Sequence, residues 1–539
     1  MPFTVADYII ERLKEQNVDV LFGVPAAYCA PLYEAALRGG MAAAVDSSDL
    51  GAGYAADGYA RTRGLAAVSV SYGVGALSLV NAIAGAYVER SPVVVVNGGP
   101  TPGELSNLHQ LDVLFSHSIG QDATDLNVFK QVTASAARAD KAMNVPGLVD
   151  SALMTAITKK RPAYIEISMD IWDAGSPMPS GPLNLALPPI GTEPGLATKI
   201  LDFIRQASSP VILVGVEVAR YGLAADVAAL IARLNIRWAT TLLAKSTISE
   251  QTANFIGVYD GVHSHATVRS AIENSDCLVA LGCVLPSGYA ALVQRSFAKM
   301  VHVYDSRVRV RTDAKVNAEI GALVRAISAQ ATPGPLPPAA AGPGSRVAAA
   351  AAGLSHAQLF QSINAILDET LLVIPDTLLG IYSAANLTLK GPGAFLCSAV
   401  WASIGHSVSA AVGAAFGAQR RPLVICGDGG FQMTSQSLST MVHHGRNPIV
   451  VLIANGIYGY EQFLVDPSFF TDPTQPARPY VNLNQWDYVK LAGALGFTLA
   501  KAVDNAAALD TALAEAKGFS GPCLIVADVK ARDLPTELH

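Results

Sequence analysis

Pro422-Leu423-Val424-Ile425-Cys426-Gly427-Asp428-Gly429-Gly430 is a short apolar run that stops on three glycines set around one acid. An uninterrupted apolar run of this length reads as a strand buried on both faces. A helix-like stretch follows through Leu438, Met441 and Val442, and a second apolar run, Pro448 to Ala454, ends on Asn455. At the end of a strand, glycines let the backbone approach a ligand closely, and the next helix start offers free N–H groups to a diphosphate. The spacing of 27 from Asp428 to Asn455 is enough for a strand, a crossover helix and a return strand, which brings both to the carboxyl edge of one parallel sheet. An acid and an amide placed there suit a hard cation such as magnesium, which needs few protein oxygens when phosphates supply others. Gly-Asp-Gly alone is equally a plain strand-to-helix turn with Asn455 as a cap; the paired strands and the matching Asn favour the cation.

Working outward, similar apolar runs recur at Val18 to Val24, Ala66 to Val70, Pro92 to Val96, Pro210 to Val216 and Leu278 to Leu281, many followed by Gly and a helix-like stretch. This alternation predicts an α/β fold of parallel sheets flanked by helices. A chain of 539 residues exceeds one hydrophobic core. Ala331 to Gly353, rich in Pro, Ala and Gly, reads as an interdomain linker, and Ser176 to Pro194 as a weaker break. The expected plan is therefore a first domain over 1–180, a middle domain over 181–330, a linker over 331–354 and a last domain over 355–539.

Composition excludes several classes. A net charge of −6 without a long Lys/Arg run leaves no electrostatic footprint for nucleic acid. The six cysteines form no C-x-x-C pair, as expected of buried thiols in a reducing compartment. Met-Pro-Phe-Thr-Val-Ala-Asp lacks the basic start and apolar core of a signal peptide. The long uncharged runs Leu65 to Val88 and Gly391 to Gln419 are interrupted by Gly, Ser, Asn, Pro or His, which argues against membrane spans. The expectation is a cytoplasmic protein with neither nucleic-acid nor membrane partners. His443-His444 and His263-Ser264-His265 lack a third ligand at useful spacing and read as solvated or capping residues.

Gly427-Asp428-Gly429 with Asn455 at this distance resembles the binding motif of thiamine diphosphate enzymes. Leu50-Gly51-Ala52-Gly53-Tyr54-Ala55-Ala56-Asp57-Gly58-Tyr59-Ala60-Arg61 is similar to the Leu-Asn-Ala-Ala-Tyr-Ala-Ala-Asp-Gly-Tyr-Ala-Arg segment of the pyruvate and indolepyruvate decarboxylase branch. Tyr72-Gly73-Val74-Gly75-Ala76-Leu77-Ser78 resembles the segment after it, and Trp401-Ala402-Ser403-Ile404-Gly405 the Trp-Gly-His-Ile-Gly loop under the bent cofactor. The resemblance spans the chain, with specific motifs in both end domains and a generic middle. It implies three domains, pyrimidine-binding, middle and diphosphate-binding. It also implies a homodimer with shared active sites and the homotetramer common in that branch.

The resemblance assigns thiamine diphosphate and Mg2+ as cofactors. Asp428, Asn455 and the Ile457 carbonyl fall on the metal ligands, Asp376 and Gly430 on diphosphate contacts, and Gly427, Gly429 and Tyr458 among the other cofactor-binding residues. The Ala402 carbonyl becomes the acceptor for the 4′-amino group, and Ile404 the support under the V shape. Asp49 stands where the family places a Glu beside N1′; one methylene shorter, it loses ~1.5 Å of reach. Ala27, in Gly23-Val24-Pro25-Ala26-Ala27-Tyr28, replaces a proton-transferring acid. Of two consecutive histidines in the branch, His109 remains and Gln110 replaces the second. Glu461 takes the position of the acid above the reacting carbon.

The function implied is non-oxidative decarboxylation of a 2-oxo acid through an activated aldehyde intermediate. A carboligase or carbon-carbon lyase acting on 2-oxo acids, hydroxyketones or diketones is the alternative that Ala27 and Gln110 suggest. A cofactor-binding protein with little catalysis is a third. In the middle domain, Ile212 to Gly215 offers a strand and turn without a following G-x-G-x-x-G, so a structural role is expected there.

Overall fold

The computed structural model describes residues 2–185, 193–334 and 353–538. Most of the Pro/Ala/Gly stretch read as a linker, residues 335–352, lies outside the described residues. Contacts divide the chain into two compact units. One comprises Met1–Leu187, Gly405–Gln419 and Met433–Pro448; the other comprises Pro188–Ile404, Arg420–Gln432 and Ile449–His539.

The first unit is built on six parallel strands in the order Ala42–Val45, Val20–Gly23, Ala66–Ser69, Val93–Gly99, Ala163–Ser168, Ser135–Ala139. Alternate strand residues feed opposite faces. Leu21, Ala67, Val94 and Ile165 share one core with the helices Val5–Glu15, Ala30–Arg38 and Val145–Lys159. On strand Val20–Gly23 the neighbouring residue, Phe22, meets the Tyr59 and Phe416 rings instead.

Tyr59 belongs to the helix Asp49–Arg63, which lies against the helix His406–Gly417. Glycine permits that contact: a side chain at Gly58 would overlap the Ala410 carbonyl, and one at Gly413 the Ala55 carbonyl. A buried ionic group ties the pair together. Arg61 bonds Asp57 and Glu89, and Asp57 Oδ2 lies 2.7 Å from His406 Nε2. The uncharged run around this second helix is thus interior surface of a globular unit, and among the described residues no helix is long and apolar enough to cross a membrane.

The second unit carries two sheets. The first has seven strands, parallel through Met300–Tyr304, Cys277–Leu281, Pro210–Val214, Arg237–Thr241 and Phe255–Tyr259. Its other edge adds two antiparallel strands, Arg307–Val310 and Val316–Asn317. Gly215, after strand Pro210–Val214, uses its lack of a side chain to approach the backbone of Gly282 and Cys283. The other sheet is fully parallel, in the order Leu371–Pro375, Arg421–Gly427, Ile449–Ala454, Cys523–Asp528, Leu499–Val503. The three sheets match the expected α/β class.

Candidate cofactor site

Strands Arg421–Gly427 and Ile449–Ala454 run side by side with Gly427 opposite Ile453, so the residues that follow, Asp428 and Asn455, emerge together. Asp428 is 3% exposed. Its Oδ2 accepts the N–H of Gly456 at 2.7 Å and of Asn455 at 3.1 Å, and its Oδ1 that of Gly429 at 3.0 Å. Burial pushes this carboxyl up to about 6, outweighing the backbone donors that pull it down. A buried acid with no positive partner among the described residues is the arrangement a cation relieves. Asn455 Oδ1 accepts the N–H of Ile457 at 3.2 Å, which holds the amide on the same turn.

These groups line an open cleft together with Thr377, Leu378, Leu379, Ile404, Tyr458 and Glu461. A side chain at Gly429 would run into the Tyr458 ring, so the glycine lets the tyrosine lie over the turn. Glu461 stands exposed in the first turn of the helix Gly459–Val465. A glycine-bordered cleft with a buried carboxylate and an amide fits a diphosphate and a hard dication. Among the described residues no cluster of three or more His, Cys, Asp or Glu could hold a metal without such help.

The remaining sequence candidates occupy distinct places. Asp376 is buried just after strand Leu371–Pro375, where Cys426 Sγ lies 3.2 Å from its Oδ2, and the three residues after it line the cleft. Ala402 takes a left-handed conformation, φ +55°, unusual for a residue with a side chain. In the first unit Asp49 opens the helix Asp49–Arg63 behind the N-cap Ser48. It is half-buried, which raises its carboxyl above the usual range, and a Cβ on Gly75 would sit 2.8 Å from its Oδ1. His109 and Gln110 lie exposed in the last turn of the helix Pro102–Leu111, with His109 Nε2 2.5 Å from Asp122 Oδ1. Ala27 is exposed. His265 caps the helix Ala266–Glu273, His263 packs on the Tyr382 ring, and His443 and His444 close the helix Ser437–His443.

Two residues of this region carry no motif. His356 lines the cleft and pairs with Asp533, 177 residues away. The readable signal was topological: a helix that precedes the first strand of a parallel sheet begins at the carboxyl edge, and Ser355 with Gln358 marks such a helix start. Tyr460 also lines the cleft, its hydroxyl 2.9 Å from that of Tyr382.

A parallel sheet whose adjacent strand ends present this cleft defines a class: α/β proteins that hold a phosphorylated cofactor at a carboxyl edge. Family models narrow the class. Residues 3–119 match the N-terminal thiamine pyrophosphate (TPP) binding domain of thiamine pyrophosphate enzymes, 197–330 their central domain and 379–527 their C-terminal TPP binding domain. The chain is 30% identical to an alpha-keto-acid decarboxylase of Mycobacterium ulcerans, over 99% of this chain and 94% of that protein. It is 31% identical to one of Mycobacterium tuberculosis, covering 92% and 88% of the two chains. A pyruvate decarboxylase of Aspergillus terreus is 30% identical, covering 86% and 84%. The chain belongs to the thiamine pyrophosphate-dependent decarboxylase family.

Proposed function

We propose that the protein decarboxylates a 2-oxo acid without oxidation and releases an aldehyde, using thiamine diphosphate and Mg2+. The observation that carries this reading is the cleft in which Asp428, Asn455 and Ile457 meet Glu461. The printed names of the relatives support the substrate class. When bound, the cofactor supplies a nucleophilic carbon and an electron sink. Asp428, Asn455 and the Ile457 carbonyl hold the metal. Gly427, Gly429, Gly430, Asp376 and Tyr458 surround the diphosphate, the Ala402 carbonyl accepts the 4′-amino group, and Ile404 supports the bend. Asp49 holds the proton at N1′. Glu461 and His109 move protons at the reacting carbon, with Gln110 as a hydrogen-bonding neighbour.

The assembly in this reading is a homodimer, paired into a tetramer, in which one subunit's Asp49 serves its neighbour's cleft. Domains bounded at 1–180, 181–330 and 355–539 fit this plan, with 331–354 as the linker. Six buried cysteines, none in a disulfide among the described residues, support a cytoplasmic location. Carbon dioxide release from a panel of 2-oxo acids, with aldehydes identified in the same tubes, tests the proposal. No release from any acid, under conditions where the cofactor binds, refutes it. Ala27 favours ligation as a second outcome, because it cannot return a proton to the product-forming carbon; hydroxyketones in those tubes would report it.

A further inference from the structure

His356 begins the helix His356–Ile366 and is 1% exposed, yet it forms part of the cleft wall beside Thr377, Gly427 and Asp428. Asp533, five residues beyond the strand Cys523–Asp528, fixes it twice. The Asp533 Oδ2 accepts the His356 backbone N–H at 2.6 Å and lies 2.8 Å from Nδ1. A carboxylate on Nδ1 keeps the proton there, sets the ring plane and leaves Nε2 as the free nitrogen. Among the described residues Nε2 has no hydrogen-bond partner. A nearly fully buried imidazole with one nitrogen committed and the other unpartnered in a cleft is a ligand-binding arrangement.

Charge indicates which ligand. His356 is the one side chain lining the cleft, among the described residues, that can become cationic, whereas Asp428 and Glu461 bring negative charge. A diphosphate monoester and the Asp428 carboxylate together carry more negative charge than one dication cancels. When both ring nitrogens carry protons, the ring held by Asp533 offers positive charge and an N–H donor from Nε2.

We propose that His356 is a diphosphate-binding residue, Nε2 donating to a phosphate oxygen while Asp533 orients the ring. This rests on reading the cleft as the diphosphate site. The test is the affinity of the full-length protein for thiamine diphosphate and, separately, for thiamine, each titrated calorimetrically in excess magnesium. The variants are His356→Gln and Asp533→Asn, and melting of each cofactor-free protein checks folding. His356→Gln should weaken thiamine diphosphate binding by about 10- to 100-fold, the loss of one charge-assisted hydrogen bond, and leave the weaker binding of thiamine unchanged. Asp533→Asn should weaken it in the same direction but less, and it carries the test alone if His356→Gln does not fold. An unchanged thiamine diphosphate affinity in a folded variant, or an equal loss for thiamine, overturns the role of His356 while the cleft assignment stands. Failure of the unaltered protein to bind thiamine diphosphate more tightly than thiamine would overturn both.

Discussion

Replacing Asp125 with Asn should alter the pH dependence of stability more than stability itself. Asp125 is fully buried; its Oδ2 accepts the Gly73 N–H at 2.8 Å, and its Oδ1 has no partner among the described residues. Burial pushes the carboxyl from its ordinary 3.8 up to about 6, against the pull of the Gly73 bond. At about 1.4 kcal/mol per pH unit, ionised Asp125 costs the folded state about 3 kcal/mol. The sign follows from proton counting. Between pH 3.8 and about 6 the folded state holds a proton that the unfolded state has lost, so stability falls as pH rises through this window, and the full penalty is present above it.

Asparagine accepts the Gly73 bond and never ionises. Its extra amide donor adds a cost of about 1–3 kcal/mol if it finds no acceptor, but that cost is independent of pH. The gap between variant and parent should therefore move in the variant's favour by about 3 kcal/mol from pH 4 to pH 8. For a cooperative unit of 150–250 residues this is about 6–12 °C in Tm. Calorimetric scans of both proteins at several pH values read it. A gap that stays constant across that range would refute the assignment of a raised, proton-holding carboxyl at Asp125. Glu166, pushed up to about 7 chiefly by burial and partly by Asp125, should titrate lower in the variant and sharpen the upper end of the change.

Asp49→Asn should lower kcat at least 100-fold by removing the acid, and Asp49→Glu should raise kcat above the parent; a slower Glu variant would mean that the backbone has adapted to the shorter side chain. Ala27→Asp should raise the ratio of free aldehyde to ligation product from one 2-oxo acid, and an unchanged ratio would remove the proton-donor argument. Ala402→Gly relieves a left-handed conformation worth about 1–2 kcal/mol at an entropic cost of about 0.5–1 kcal/mol, so a Tm rise of a few degrees is expected and a fall would contradict the strain. Gly429→Ala should weaken thiamine diphosphate binding about 10-fold or more by displacing Tyr458, while the cofactor-free protein melts as before.

The parallel sheets were legible because their central strands are uninterrupted apolar runs: each of the seven predicted runs coincides with a strand. Edge strands were not. Ala42-Ala43-Ala44-Val45 and Leu499-Ala500-Lys501-Ala502-Val503 are rich in alanine, whose local preference is helical, and only pairing with a neighbour makes them strands. Arg307-Val308-Arg309-Val310 did carry a period of two, the mark of an antiparallel edge. In the candidate cleft the convergence of Asp428 and Asn455 was readable because both follow apolar runs within one crossover. The His356–Asp533 pair was not, since no local pattern links residues so far apart. The left-handed turn at Ala402 was hidden because alanine does not announce a positive φ as glycine does.

The glycine-mediated contact at Gly58 and Gly413 has a consequence for biosynthesis. By Ser168 a ribosome has delivered every strand of the first sheet, but the helix that covers Gly58 emerges only after residue 417. For much of translation the nascent chain therefore presents an alanine- and glycine-rich helix face that nothing in the emerged segment can cover. Such a face is prone to wrong association. A fragment ending near residue 185 should inherit the same exposed face, so the N-terminal third is better produced within the whole chain than alone.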